Sequence, residues 1–155
     1  MDDAPPPIAL ADGDDDADGL NSRLLAAVIE GDDEAVAGLL AAGASADAAS
    51  NDGQWPALHL AIEFDHPAIV ERLIAAGATV NPTRRRYRTP LQHAVEVEVA
   101  LLRLDPDGLR DLRLIAPLLA AGADPLAVSK ERPETPLELA SAADHDDAIR
   151  AMQHR

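Results

Sequence analysis

The sequence predicts an all-α fold, a solenoid of stacked helix-turn-helix pairs joined by short β-hairpin-like finger loops. Three observations predict it. A word ending in Ala-Ala-Gly-Ala recurs three times along the 155 residues. A second word, carrying Pro and then Leu, begins about a dozen residues after the glycine of each first word. The composition is 47% hydrophobic but only 2% aromatic, so the core must be Ala, Leu, Val and Ile, which suits closely stacked helices.

The first word reads Leu39-Leu40-Ala41-Ala42-Gly43-Ala44, then Leu73-Ile74-Ala75-Ala76-Gly77-Ala78, then Leu118-Leu119-Ala120-Ala121-Gly122-Ala123, with the glycines 34 and 45 residues apart. The second reads Pro56-Ala57-Leu58-His59-Leu60-Ala61, then Thr89-Pro90-Leu91-Gln92-His93-Ala94, then Thr135-Pro136-Leu137-Glu138-Leu139-Ala140. Thr-Pro is a helix start: threonine caps, and proline in the first turn gives up no hydrogen bond that the helix needs. Leu-Leu-Ala-Ala-Gly is a helix end, because glycine supplies the left-handed residue after the last turn. Two short helices fit between the words, and a polar loop separates one pair from the next.

These words resemble the ankyrin-repeat family, whose signature T-P-L-H-x-A the second word follows. The resemblance covers residues 22–153 and implies about three and a half repeats. The first runs over 22–54, with helices near 22–30 and 33–42 and an Asn21-Ser22 cap. The second runs over 55–87, with helices near 57–64 and 67–76. The third runs over 88–132, with helices near 90–103 and 108–121. A partial fourth over 133–155 ends two turns into its second helix. Terminal repeats are expected to be atypical because one face meets water. The repeat domain therefore spans 21–155, preceded by an acidic tail over 1–20 that cannot recover its ordering entropy.

Departures from the pattern carry information. Gln92 stands where the signature has histidine. The third repeat is longer by about twelve residues, an insert over 96–108 that contains the turn Asp105-Pro106-Asp107-Gly108. It reads as an extension of both helices around that turn, although Val95-Glu96-Val97-Glu98-Val99 also alternates like a strand. Pro117 should kink the second helix of this repeat or delay its start.

Cysteine is absent, which excludes disulfides, thiolate ligands and cysteine nucleophiles. No apolar run reaches membrane-spanning length, and the start lacks the basic stretch of a secretory signal, so a cytoplasmic protein is expected. The net charge is −15, and seven of the 28 acids fall in residues 1–20, where no base does. Such a chain repels nucleic acid and attracts a basic protein partner. One lysine, Lys130, beside twelve arginines suggests a GC-rich bacterial source.

The ankyrin resemblance implies a structural role for His59, bonding across a neighbouring loop, and for Gly43, Gly77, Gly122, Thr89, Pro90, Thr135 and Pro136. The other histidines lack the i, i+4 spacing of a helical metal pair. Asp14-Asp15-Asp16-Ala17-Asp18-Gly19 mimics the front of a calcium loop, but its twelfth position is Leu25 and the acidic tail explains it better. No catalytic, cofactor or metal site is predicted. The candidate partner-binding residues lie in the fingers and the insert. Trp55 and the cluster Arg84, Arg85, Arg86, Tyr87 and Arg88 fall on neighbouring fingers, with the only Trp and the only Tyr at the finger tips, and are the residue types that anchor interfaces. Trp55 and the stem of Arg84 could equally serve to cover the loops. Asp52, Glu63, Asp65, Glu96 and Glu98 are the acids around them. The expected function is a non-enzymatic binding module, monomeric when free. It is read as an immunity protein or antitoxin that occludes a cationic toxin or enzyme. The alternative is an interaction scaffold or host-directed effector, and an unrecognised enzyme ranks below both.

Overall fold

The computed structural model describes residues 16–50, 55–82, 88–107 and 111–154. They form eight helices in four pairs: α1 (Ala17–Glu30) with α2 (Asp33–Ala41), α3 (Ala57–Glu63) with α4 (Pro67–Ala75), α5 (Pro90–Leu104) with α6 (Ile115–Ala120), and α7 (Pro136–Ala142) with α8 (Asp146–Gln153). The first helices pack in the order α1, α3, α5, α7, and the second helices in the order α2, α4, α6, α8. No strand occurs among the described residues. The hairpin character of the first finger is a single antiparallel bridge, Ala49 to Pro56. Around it Ala57 N donates to Ala48 O at 2.7 Å and Ser50 N donates to Trp55 O at 3.1 Å.

The three recurring glycines occupy equivalent positions. Gly43, Gly77 and Gly122 have φ of 106°, 96° and 89°, the left-handed region that only glycine enters without strain. In each case the next alanine closes the helix: Ala44, Ala78 and Ala123 donate to Leu39, Leu73 and Leu118 at 3.0, 2.9 and 2.9 Å. Helix starts are equally regular. Thr89 Oγ1 accepts from Gln92 N while Gln92 Oε1 accepts from Thr89 N, and Thr135 and Glu138 repeat this reciprocal box.

The core follows from this repetition. Leu24, Val28, Leu58, Ile62, Ile69, Leu73, Leu91, Leu118 and their neighbours form one buried cluster running through all four pairs. Fully buried Ala57, Ala61, Ala94 and Ala140 let the first helices approach closely, which large side chains would prevent. Small residues thus do the work that aromatics do in a single globular core.

Two helix starts differ from those the sequence predicts. Helix α1 begins at Ala17 rather than near 22, so the predicted tail ends at least five residues too late and Leu20 is buried. The cap is Asp16, whose Oδ1 accepts from Gly19 N at 2.7 Å, in place of Asn21-Ser22. Aspartate caps well and also suits the positive end of the helix, an effect that the run of acids disguises. Helix α5 lengthens to Leu104 and is helical through Val95–Val99, but α6 does not lengthen: it begins at Ile115, with Pro117 in its first turn. The expectations for residues 1–15 and 108–110 lie outside the described residues. No helix among the described residues is long and apolar enough to cross a membrane.

Candidate interaction surface

The surface begins at the foot of the first finger. Trp55 N donates to Ser50 Oγ at 3.1 Å, and the indole meets the His93 ring edge-on, with centroids 5.8 Å apart and planes at 83°. His93 in turn meets His59 edge-on at 5.6 Å. Trp55 keeps 37% of its surface in water, whereas both histidines are buried.

Burial decides what the histidines do. It pushes His59 down to about 4, so its ring is neutral, and Nε2 donates to the carbonyl of Arg88 at 2.8 Å. Among the described residues its Nδ1 has no partner. Burial also lowers His93, against the pull of Glu63, to whose carboxylate Nε2 donates at 2.7 Å. His59 therefore ties one repeat to the next finger, the role that its position in the repeat implies. Gln92 does the same one repeat later, donating to Arg132 O at 3.0 Å and Glu134 O at 2.6 Å. A neutral amide replaces a neutral imidazole because both offer an N–H to a carbonyl.

The loops are also clamped to one another by side chains. Asn21 Oδ1 accepts from Ser45 N at 2.8 Å. Asp47 accepts from Thr79 N at 2.7 Å and from Thr79 Oγ1 at 2.8 Å. Asn81 donates to Gly122 O at 2.8 Å and accepts from Asp124 N at 2.9 Å. The first contact ties α1 to the loop that leaves its own pair, and the Asp47 and Asn81 clamps each reach one repeat onward and tie neighbouring loops together.

Among the described residues, the predicted partner-binding acids Glu63, Asp65, Glu96 and Glu98 all make internal bonds. Glu63 holds His93, and Asp65 pairs with Arg113 at 2.6 Å. Glu96 lies between Arg88 and Arg132 and pairs with both. Glu98, expected on the surface of the insert, is only 6% exposed. Its Oε1 accepts from Leu114 N at 2.8 Å and Ile115 N at 3.1 Å, capping α6, whose own cap residue, Leu114, offers no side-chain acceptor. Trp55, Glu63, Arg88, Glu96 and Arg132 thus lie in one connected region, which leads to a groove of about 290 Å³ between α5 and α7 lined by Val95, Val99, Arg103 and Leu139. Asp52, Arg84, Arg85, Arg86 and Tyr87 lie outside the described residues. No cluster of metal-ligating side chains occurs among the described residues.

The family profile described as ankyrin repeats in three copies matches residues 24–104. The chain belongs to the ankyrin-repeat family. Ankyrin repeats are protein-interaction modules and generally carry no catalysis. The profile match ends at Leu104, the last residue of α5, and the ankyrin architecture continues beyond it through α6, α7 and α8. No curated protein matches the chain.

The capping boxes were legible as Thr-x-x-Gln and Thr-x-x-Glu, a spacing that sequence reading passed over. The Asp47, Asn81 and Glu98 contacts had no local signal, since their partners lie 32, 41 and 16 residues away.

Proposed function

We propose that this ankyrin-repeat chain is an inhibitor of another protein, an immunity protein or antitoxin that neutralises a basic toxin or enzyme by covering its active region. It acts in the cytoplasm, as a monomer when free, without catalysis of its own and without engaging nucleic acid or membrane. One observation carries the reading. Trp55 is exposed yet held edge-on against buried His93, beside Glu63, hydrogen-bonded to that ring, and the ion pair of Arg88 with Glu96, on a chain of net charge −15.

An aromatic anchor that is already positioned loses little rotamer freedom on binding, so more of its contact energy reaches the complex. The excess negative charge steers a cationic partner toward the chain and raises the association rate. Speed serves an inhibitor that competes with a toxin's substrate. The test is co-expression with the product of the adjacent gene, followed by affinity measurement. Relief of toxicity, with Trp55→Ala weakening the complex by about 2 kcal/mol or more, is the expected result. A neighbouring product that is harmless alone, or lethal in the presence of this chain, overturns the antitoxin reading.

A further inference from the structure

The finger loops enter the first helix of each pair, so the turn between paired helices lies at the opposite edge of the stack. The groove of about 290 Å³ between the first helices α5 and α7 runs from one edge toward the other. Arg132 stands at its finger end, and Arg103, in the last turn of α5, at its turn end. Val95, Val99 and Leu139 give it an apolar wall. Glu96 and Arg103 are seven residues apart, two helical turns, so they lie on one face of α5 about 10 Å from each other.

Charge sets this groove against the character of the chain. On its lining arginines outnumber carboxylates, Arg103 and Arg132 against Glu96, whereas the whole chain has 28 acids to 13 bases. Both cations are available. Exposed Arg103 makes no hydrogen bond or ion pair among the described residues. Arg132 is held in place: its N donates to Ser129 Oγ at 3.1 Å, and its O accepts from Ser129 N at 3.0 Å and from Gln92 Nε2 at 3.0 Å. Its Nε and Nη2 point at Glu96 Oε1, which leaves Nη1 without a partner among the described residues. A guanidinium fixed by one carboxylate can take a second through its other edge.

We propose that this groove receives a segment of the protein partner in which carboxylates flank aliphatic side chains, one carboxylate meeting Arg132 and the other Arg103. Charge complementarity selects this occupant. The apolar wall alone accepts any hydrophobic segment, but a basic one is repelled by the two arginines, and a neutral one strips water from them without replacing it. A partner that is basic as a whole is compatible with this contact, because net charge governs the approach and the nearest groups govern the docked state. An enzyme that is basic overall and holds carboxylates in its active region meets both conditions, and the two arginines would occlude those carboxylates.

The inference rests on the protein-binding reading and names the contact chemistry of the partner, and the two fail separately. The full chain, labelled at leucine and valine methyl groups, is titrated at pH 7 with acetyl-Asp-Val-Leu-Asp-amide and with its Asn-Val-Leu-Asn counterpart. The carboxylates of the first peptide stand about 10 Å apart when it is extended. The methyl signals of Val95, Val99 and Leu139 should move with the acidic peptide, and the neutral peptide should bind about tenfold more weakly. Arg103→Gln, at an exposed position, should weaken the acidic peptide several-fold with the melting temperature unchanged. Equal response to both peptides, movement of other methyl signals only, or an affinity indifferent to Arg103→Gln overturns the proposal. Tighter peptide binding after removal of residues 1–15 would assign the groove to the chain's own acidic segment, and movement of the same signals with protein concentration alone would assign it to a second copy. Either result also overturns the proposal. If the groove ignores both peptides while the product of the adjacent gene still binds and Trp55→Ala weakens that complex, the groove fails and the binding module stands.

Discussion

Glu98 in α5 faces His145, the residue that caps α8, across 3.6 Å in the interior of the third and fourth repeats. Burial raises the Glu98 carboxyl to about 7, while burial lowers His59 to about 4. The two act on stability in opposite senses. Below about 7, folded Glu98 holds a proton that its unfolded counterpart releases down to about 4.5, so acidification over this window stabilises. Over 6.5 to about 4 the unfolded His59 takes a proton that the folded one refuses, so acidification destabilises. The effects offset one another where the windows overlap. Glu98→Gln, which keeps an oxygen for Leu114 and Ile115, should expose the histidine slope. Unfolding free energies from denaturant titrations should then fall on acidification by up to about 1.4 kcal/mol per pH unit, a loss that the unmodified chain resists. Identical slopes for the two proteins would show that Glu98 is not protonated in the fold.

His59 and Gln92 perform one task with different chemistry, which gives a graded test. His59→Ala should cost about 2–3 kcal/mol, through the lost bond to Arg88 and lost packing against His93. His59→Gln should recover about 1 kcal/mol of that by restoring an N–H to the same carbonyl. Urea denaturation of the two variants decides between them. Equal losses would mean that ring packing, and not the hydrogen bond, is what matters.

Asp47 and Asn81 clamp different pairs of loops and share no partner. Asp47→Ala and Asn81→Ala should each destabilise by about 1–2 kcal/mol, and the double variant by the sum. A double variant well short of the sum would mean that the first replacement already frees the second clamp.

The start of α1 sets the limit of truncation. Removing residues 1–15 leaves Asp16 and Leu20 in place, and the melting temperature should hardly change. Removing residues 1–20 deletes the Asp16 cap and the buried Leu20, at a combined cost of about 2–4 kcal/mol. Equal melting temperatures for the two truncations would contradict the fold at this end.

The repeat itself was legible because its signals are local. Gly43, Gly77 and Gly122 had to adopt positive φ, Thr89 and Thr135 had to cap, and the helices between them fall within a residue of expectation in the second repeat. Two ends were not legible. The acids around Asp16 read as a solvated tail because composition hides a cap, and α6 reads as long because its true first acceptor, Glu98, belongs to another helix. The candidate site was legible only in part. Trp55, expected at a finger tip, lies at the foot of the finger beside Pro56, and Glu63, Asp65 and Glu96 are bonded within the molecule. Whether an acid faces a partner or a neighbour depends on residues 8 to 48 positions away, and no spacing rule reports that.

The lengthened third repeat returns to phase. His59 reaches a carbonyl 29 residues ahead and Gln92 one 40 residues ahead, yet both make the same bond to the next finger. The extra length is absorbed wholly at the turn edge, so the pitch of the stack is indifferent to it. That edge is therefore a natural graft point: a foreign loop joined after Leu104 and before Leu114 can carry a new recognition sequence, provided that an acceptor remains at position 98 to start α6.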